Sequence, residues 1–292
     1  MGEHRSFSAA ARSLHTVQSN ISTHVSRLER ELGVCLIDRA TNSLTEEGVV
    51  VAERARRIEV EFSGLESDLA ALRDEIRGVV RIGIIGTTAR WLVAPLLQWI
   101  ADRHPAIKVV VLDATTTSLV PQLTRGQLEM SVINLPLTEP DLVVEPLFDE
   151  ERILVAPASH PLFDRSVVDF QTLSDHRLLL EAVGTTFRDE LDAQAASHGV
   201  ELQAQAEVDG MRLLASLAFS GFGAAILPAS AAPGWIGGEW KRIPIEGVAS
   251  RSVGLARRRR GLPSAAERAV AEAIREVVLA NAPDQYGIHP RC

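Results

Sequence analysis

Apolar residues recur every third or fourth position between residues 51 and 76, with spacings of 4, 3, 4, 3, 4, 3 and 4. The repeated positions are Val51, Ala55, Ile58, Phe62, Leu65, Leu69, Leu72 and Ile76. A sustained seven-residue repeat is typical of a helix that pairs with another helix, whereas a core helix carries a wider, less regular stripe. The sequence predicts a coiled-coil linker helix over 46–78, with Thr45 as its N-cap and Gly78 at its end. The repeated positions from Ile58 onward are predicted to hold a homodimer or tetramer together.

Two shorter helices are predicted before this long helix. Residues 7–14 are helix formers with alanine at 9–11. The second helix has one apolar face and ends at Gly33; its apolar residues are Val17, Ile21, Val25, Leu28 and Leu32. Two short helices joined by a tight turn indicate a helix-turn-helix. Residues 34–45 then predict a strand, a polar turn and a strand, which would form a wing.

The opposite face of the second helix carries short and mostly uncharged polar side chains. The predicted DNA-binding residues are Gln18, Ser19, Asn20, Ser22, Thr23, Arg27 and, beside the wing, Arg39. Such groups hydrogen-bond base edges and phosphates in duplex DNA. The alternative is an ordinary solvated face, although that would more often carry Glu and Lys.

The chain as a whole is acidic, with a net charge of −8, whereas DNA-binding domains are often basic. Residues 4–39 nevertheless carry five Arg against three acids. Local charge on a binding face matters more than the total, so we expect modest non-specific affinity for DNA and a real dependence on specific contacts. The sequence has no long apolar run and no signal-peptide pattern, and a cytoplasmic location is expected.

Strands and helices alternate over residues 79–280, which predicts parallel α/β sheets with crossover helices in two similar halves. The predicted strands are 79–85, 107–112, 130–133, 153–156, 177–181, 202–208 and 224–227. The predicted helices are 90–103, 118–125, 187–197, 211–220 and 264–280. The tail after Pro283 is expected to be disordered.

The string SFSAAARSLHTVQSNISTHVSRLERELGVCLIDR, followed by LTEEG at 44–48, resembles the LysR-type transcriptional regulators. The segments LTRGQLEMSVI (123–133), ASHPL (158–162) and SGFGAAILP (220–228) continue the resemblance. It implies an N-terminal all-α winged helix-turn-helix with a long coiled-coil linker helix, and a C-terminal α/β effector domain of two subdomains that is periplasmic-binding-protein-like. Gln18, Ser22 and Arg39 match positions that typically face DNA in this family.

The resemblance also sets the expected domains. The DNA-binding domain is 1–45, the linker 46–78, the effector domain 79–283 and the tail 284–292. Subdomain I covers about 79–158 and 258–283, and subdomain II about 159–257. Three departures are visible: the first helix is apparently truncated, Thr23 stands where Arg is common, and the wing is about two residues short. The truncation would leave apolar residues without a partner, namely Phe7, Ala10, Leu14, Val25 and Leu28.

Threonines follow the first two predicted strands of the effector domain. Ligands bind outside the carboxyl ends of parallel strands, and free N–H groups at helix starts favour anions. The predicted effector-binding residues are Thr87, Thr88, Thr116, Thr117, Asn134 and Arg188. The alternatives are simple N-capping for the threonines and an ordinary surface position for Arg188. We expect a small, anionic metabolite between the two halves.

No catalytic motif is found, and the two cysteines, Cys35 and Cys292, form no pattern of a metal site or disulfide framework. The expectation is a regulator rather than an enzyme, with no metal and no cofactor. Its partners would be operator DNA, a small effector and a second copy of itself, with RNA polymerase as a candidate. The alternatives are a solute-binding protein and an α/β enzyme. The sequence shows no signal peptide, which the first would need, and no nucleophile–base set, which the second would need.

Overall fold

The computed structural model describes residues 6–73, 75–259 and 261–291. The chain divides into two units, Met1–Leu65 and Glu66–Cys292, each with contacts mostly within itself. The division falls inside the long helix that the heptad repeat predicts, so this helix contributes residues to both units.

The helix-turn-helix is present as α1 (Phe7–Ser13) and α2 (Gln18–Leu32). Gly33 ends α2 in the left-handed conformation (φ 71°), where a side chain would be strained. Ala10 is buried against Ile21, as the predicted crossing requires. Of the residues expected to lack an apolar partner, Phe7, Ala10 and Val25 are packed in this cluster, whereas Leu14 and Leu28 are exposed.

The wing is a two-stranded antiparallel hairpin of β1 (Ile37–Asp38) and β2 (Ser43–Leu44). Asp38 holds its turn, because its carboxylate accepts hydrogen bonds from Ala40 N (2.8 Å) and Thr41 Oγ1 (2.9 Å). These bonds, the one from Ala40 first, lower the pKa of Asp38. The predicted wing and its polar turn are confirmed.

Helix α3 (Glu46–Ala71) starts where predicted, with Thr45 Oγ1 accepting from Gly48 N at 3.0 Å. Its predicted end at Gly78 is wrong, because the helix stops at Ala71. Leu72 lies in the following turn and is 82% exposed, while Ile76 packs against the core of the second unit. Because the helix has ended before them, we expect Leu72 and Ile76 to lie outside the dimerisation seam.

The second unit contains two six-stranded sheets among the described residues. The first has the order β14-β6-β13-β5-β3-β4 and the second the order β10-β9-β11-β7-β12-β8. Its strands are β3 (Gly78–Ile84), β4 (Ile107–Asp113), β5 (Met130–Leu135), β6 (Leu142–Glu150), β7 (Arg152–Pro157), β8 (Val168–Asp169), β9 (Arg177–Glu181), β10 (Gln203–Val208), β11 (Ala225–Pro228), β12 (Trp240–Glu246), β13 (Arg251–Arg258) and β14 (Ile288–Pro290). Its helices are α4 (Gly86–Arg103), α5 (Thr116–Thr124), α6 (Phe170–Ser174), α7 (Thr186–Ser197), α8 (Met211–Phe219) and α9 (Ala265–Asn281).

The sheets are mixed rather than purely parallel, which corrects the prediction. β3 pairs in parallel with β4 and β5, but β13 runs antiparallel to both β5 and β6. The chain crosses between the sheets at residue 151 and again at residues 247–250. Both crossings come several residues before the predicted subdomain boundaries, because β7 belongs to the second sheet and β13 to the first.

Residues 284–291 are ordered, contrary to the prediction of disorder. β14 adds to the edge of the first sheet, where Ile288 pairs with Glu150. Arg291 Nε also bonds Asp149 Oδ2 at 2.7 Å. Within the described residues, no helix is both long and apolar enough to cross a membrane.

Candidate DNA-binding face and effector site

The polar face of α2 is exposed to solvent. Gln18, Ser19, Asn20, Thr23 and Arg27 are exposed, and Ser22 is half-buried. Gln18 Oε1 accepts from Ser8 Oγ at 2.8 Å, which links the start of α2 to α1. The predicted residues therefore share one accessible helix face that can offer amide, hydroxyl and guanidinium groups to DNA.

The two predicted arginines of the DNA-binding unit are lightly held. Arg27 Nε donates to Glu31 Oε1 at 2.9 Å, one helical turn away. Arg39 Nη2 donates to Ser26 Oγ at 3.1 Å and lies 3.9 Å from Glu29 Oε2. The Arg27–Glu31 pair is exposed on both sides, and such pairs contribute about 0–1 kcal/mol to stability. The 3.9 Å separation of Arg39 from Glu29 is too long for a hydrogen bond, so DNA phosphates can compete for both guanidinium groups at small cost.

Helix α3 presents an apolar stripe to solvent. Ile58, Phe62, Leu65 and Leu69 are each more than half exposed. Monomeric proteins rarely leave such contiguous apolar surface uncovered, and a seven-residue spacing matches the seam of a helix pair. The stripe is a candidate surface for pairing with a second copy of α3.

Two of the predicted effector residues converge on an arginine that sequence reasoning missed. Arg251, which is 4% exposed, begins β13 at the carboxyl edge of the first sheet. Its Nη2 donates to Thr87 Oγ1 at 2.7 Å, and its Nη1 donates to Asn134 Oδ1 at 3.1 Å. Thr87 lies in the first turn of α4, and Asn134 lies on β5. Two of the predicted side chains are thus tied to one buried cation.

Arg251 is also paired with a buried carboxylate. Glu150, which is 0% exposed and ends β6, accepts from Arg251 Nη2 at 2.6 Å and from Nε at 2.9 Å. Its other oxygen accepts from Ser230 N at 2.6 Å. Ser230 belongs to a short 3₁₀ turn (Ala229–Ala231) after β11 of the second sheet. The Arg251 cluster, defined as Thr87, Asn134, Glu150, Ser230 and Arg251, therefore joins the two subdomains.

Two buried hydroxyls, one on a residue of this cluster and one on a residue next to it in sequence, have no hydrogen-bond partner in the part of the chain that the structure describes. They are Thr88 Oγ1, in the first turn of α4, and Ser230 Oγ. An unsatisfied buried polar group costs about 1–3 kcal/mol, so orphaned hydroxyls are uncommon and call for an explanation. Here they are consistent with a site that can hydrogen-bond a small polar ligand.

The two predicted threonines of α5, Thr116 and Thr117, have different contacts. Thr116 Oγ1 accepts from Asn134 N at 3.1 Å and so stabilises the backbone beside the cluster. Thr117 is exposed, and its hydroxyl lies 2.9 Å from Thr115 Oγ1. Thr116 therefore belongs beside the site, while the contacts of Thr117 are those of an ordinary turn at the start of α5.

Arg188 is occupied within subdomain II. Its Nε donates to both oxygens of Asp192 (2.9 and 2.8 Å), and its Nη1 donates to Glu181 O (2.9 Å) and Glu207 Oε1 (3.2 Å). The side chain is buried among these acceptors. We therefore assign Arg188 to the packing of α7 and leave it out of the site proposed below. Burial raises the pKa of the neighbouring Glu181 carboxyl, and a hydrogen bond from Thr185 opposes that effect.

Two further arginines bridge the subdomains. Arg212 on α8 pairs with Asp113, at the end of β4, at 2.8 Å. Arg90 Nη1 on α4 donates to Ala231 O at 3.1 Å. Burial, and then the charge of Arg212, lower the pKa of Arg90. The junction is rich in guanidinium groups, and no set of metal-ligating side chains occurs in residues 6–73, 75–259 and 261–291.

Comparisons with known proteins agree with this organisation. A family model described as "Bacterial regulatory helix-turn-helix protein, lysR family" matches residues 1–49, and one described as "LysR substrate binding domain" matches residues 73–279. A "Probable hydrogen peroxide-inducible genes activator" of Streptomyces viridosporus is 34% identical over 236 residues, which cover 79% of this chain and 75% of the relative.

Solved structures share the fold over nearly the whole chain. Full-length OxyR from Pseudomonas aeruginosa, in a variant with aspartate in place of a cysteine, has a TM-score of 0.73 at 26% identity, covering 94% of this chain and 89% of its own. Full-length CbnR, solved with its target DNA, has a TM-score of 0.70 at 23% identity, covering 94% and 96%. At this identity the likeness to CbnR concerns the fold alone.

Proposed function

Because this chain belongs to the LysR family of DNA-binding transcriptional regulators, we propose that it reads an operator as a dimer or tetramer and responds to a small anionic molecule. In this proposal the exposed face of α2 contacts the bases, and the α3 stripe pairs two copies. The effector binds at the subdomain junction. We infer a cytoplasmic location, because a regulator of this kind would act on chromosomal DNA.

The observation that carries the effector proposal is the convergence of Thr87 and Asn134 on buried Arg251. The neighbouring Thr88 hydroxyl has no hydrogen-bond partner among the described residues. The first turn of α4 adds free N–H groups and the positive end of its dipole, which favour negative charge. A carboxylate or similar group would find the hydroxyls of Thr87 and Thr88 and the helix N–H groups at one place, next to the ion-paired guanidinium of Arg251, with Thr116 supporting the wall.

The relatives are named for a response to hydrogen peroxide, and this chain lacks the residues that such a response would use in its effector domain. Peroxide acts on proteins chiefly by oxidising cysteine thiolates. This chain has no cysteine from residue 36 to residue 291, since its two cysteines are Cys35 and Cys292. The effector domain between these positions offers no thiol to oxidise. We therefore propose that a reversibly bound molecule provides the signal.

Replacing Thr88 by valine should weaken effector binding while preserving side-chain shape. An effector is first found by thermal-shift screening of the full chain against small carboxylates and phosphates, and its affinity is then measured by calorimetry. Loss of a hydroxyl that bonds a charged group costs about 1.5–3 kcal/mol, or roughly a tenfold or larger weakening. Thr117→Val is the matched control and should bind as the parent does. Parental affinity in Thr88→Val would place the effector elsewhere.

Gln18 and Arg39 should contribute differently to DNA binding. Gln18→Ala should reduce the preference for operator over random DNA by about 1–3 kcal/mol, because it removes a base contact. Arg39→Ala should weaken both duplexes alike and flatten the salt dependence, because it removes a phosphate contact. Titrations of both duplexes at several salt concentrations distinguish the two. If Gln18→Ala kept the full parental preference, this face of α2 would not read the bases.

A further inference from the structure

The C-terminal strap, defined as residues 286–291, lies across the point where the chain first passes from one subdomain to the other. Its strand β14 pairs with β6 at the edge of the first sheet, and Ile288 pairs there with Glu150, the last residue before the crossing. Gly287, just before β14, accepts a hydrogen bond at its carbonyl from Glu151 N at 2.8 Å. The strap therefore reaches the crossing itself, and none of the functions assigned above uses it.

The strap is firmly attached to subdomain I. Arg291 donates from its backbone N–H to Leu147 O at 2.8 Å and from its Nε to Asp149 Oδ2 at 2.7 Å. Its Nη2 donates to Ser252 Oγ at 3.1 Å. Ile288 is 3% exposed and belongs to the core of the first sheet. Charge-assisted hydrogen bonds and a buried apolar side chain together mean that the strap moves with subdomain I.

Two contacts of the strap reach subdomain II. The ring of Tyr286 lies 5.0 Å from the guanidinium of Arg242 on β12. Gly287 lies against Ala229 in the 3₁₀ turn after β11, where a Cβ on the glycine would be 2.9 Å from Ala229 Cβ and 3.1 Å from Glu151 Cβ. Its φ of 65° is in the left-handed region. Glycine therefore lets the strap backbone touch subdomain II directly.

The turn that the strap touches is held to the first crossing by two backbone donors. Ala229 N donates to Glu151 O at 3.0 Å, and Ser230 N donates to the buried carboxylate of Glu150 at 2.6 Å. Separation of the subdomains at this crossing would break both hydrogen bonds. It would also pull the turn and β12 away from the strap, so the strap opposes the same movement.

We propose that the C-terminal strap restrains opening of the two subdomains at the first crossing, with Tyr286 and Gly287 as its contacts to subdomain II. An exposed cation–π contact is weaker than the buried and charge-assisted contacts of the strap with subdomain I. The contact of Tyr286 with Arg242 is therefore the one that gives way when the subdomains separate.

The strap provides a means of tuning the response to an effector. A ligand shifts a conformational equilibrium only by its difference in affinity for the two states, so a restraint toward the closed form favours a ligand that binds that form. This consequence rests on the function proposed above, whereas the restraint itself does not.

Hydrogen–deuterium exchange of the full chain, read at single residues by mass spectrometry, tests the restraint without a ligand. The amides of Ala229 and Ser230 report opening, because each donates across to residues 150–151. Tyr286→Ala removes the contact with Arg242 and leaves β14 paired. It should speed exchange at both amides about two- to fivefold, the factor expected for losing one exposed cation–π contact. Amides of β11, which pairs with β7 within subdomain II, should exchange as in the parent.

Gly287→Ala should speed exchange at the same two amides further, because its methyl group would press on the turn. Gly199→Ala is the matched control. Gly199 has a φ of 75°, and no atom of the described chain outside its own neighbours would lie within 4 Å of a Cβ there. This control adds similar backbone strain without the contact, and it should leave Ala229 and Ser230 at parental rates.

Two results would overturn the proposal. The first is parental exchange at Ala229 and Ser230 in Tyr286→Ala, which would make the strap only an edge strand of subdomain I. The second is equal acceleration of these amides by Gly199→Ala and Gly287→Ala, which would reduce the effect to backbone strain. Neither result depends on an effector, so the restraint can fail while the effector proposal stands.

Discussion

Replacing Leu65 and Leu69 by glutamate should convert the dimer into monomers. Both side chains lie on the exposed apolar stripe of α3, and pairing two helices would bury four such leucines per dimer. Burying a leucine contributes about 1.5–3 kcal/mol, so the change removes roughly 6 kcal/mol or more before the cost of burying charges is added. The dimer dissociation constant should rise by about four orders of magnitude. Sedimentation equilibrium at micromolar concentration measures it.

Leu72→Glu is the matched control for this experiment. Leu72 belongs to the same sequence repeat, but α3 has already ended, and the side chain is 82% exposed. Its replacement should leave the mass unchanged. A dimer that survived Leu65→Glu/Leu69→Glu would contradict the pairing of α3 with its copy.

Replacing Arg251 by methionine should destabilise the effector domain by about 3–5 kcal/mol, because it leaves a buried carboxylate unpaired. Glu150 has no exposed surface, and Arg251 supplies two hydrogen bonds to one of its oxygens. The same change frees the Thr87 hydroxyl and the Asn134 amide from their shared donor. Urea unfolding of the full chain, followed by circular dichroism, should show a large fall in the midpoint.

Two variants distinguish the cost of an unpaired buried carboxylate from the cost of removing any arginine. Glu150→Gln/Arg251→Met should recover most of the lost stability, since a glutamine can still accept from Ser230 N and carries no charge. Arg275→Met breaks a half-exposed pair with Glu145 (2.6 Å) and should cost only about 0–1 kcal/mol. If Arg251→Met unfolded at the parental urea concentration, the buried pair would not hold the junction together.

The DNA-binding unit was predictable because its signals are local. Ala10 at the crossing, Gly33 at the end of α2 and Thr45 at the start of α3 each act within a few residues of the chain. The end of α3 was not predictable in this way. Ile76 keeps the heptad spacing but is taken up by the core of the second unit, so tertiary packing overrides the repeat there.

The effector site was only half visible in the sequence. Thr87 follows β3 and Asn134 lies towards the end of β5, where the rule for parallel strands places ligands. Arg251 and Glu150 meet through antiparallel pairing of β13 with β6, across 101 residues of chain. Neither β6 nor β13 has a local sequence pattern from which the strand could be predicted. A pairing between strands about 100 residues apart in the chain also produces no periodicity in the sequence. Arg188 is left out of the proposed site for a related reason, since its carboxylate partners come from its own helix and from β10, and the β10 contact could not be predicted from the local sequence.

This chain should recognise a specific DNA sequence, and fluorescence anisotropy of the full chain on two labelled duplexes measures that recognition. One duplex carries the DNA upstream of its own gene, and the other carries a random sequence of equal length at the same salt concentration. Specific regulators typically prefer their site by about a thousandfold or more, and we expect a preference of that order. Equal affinity for the two duplexes would contradict the account.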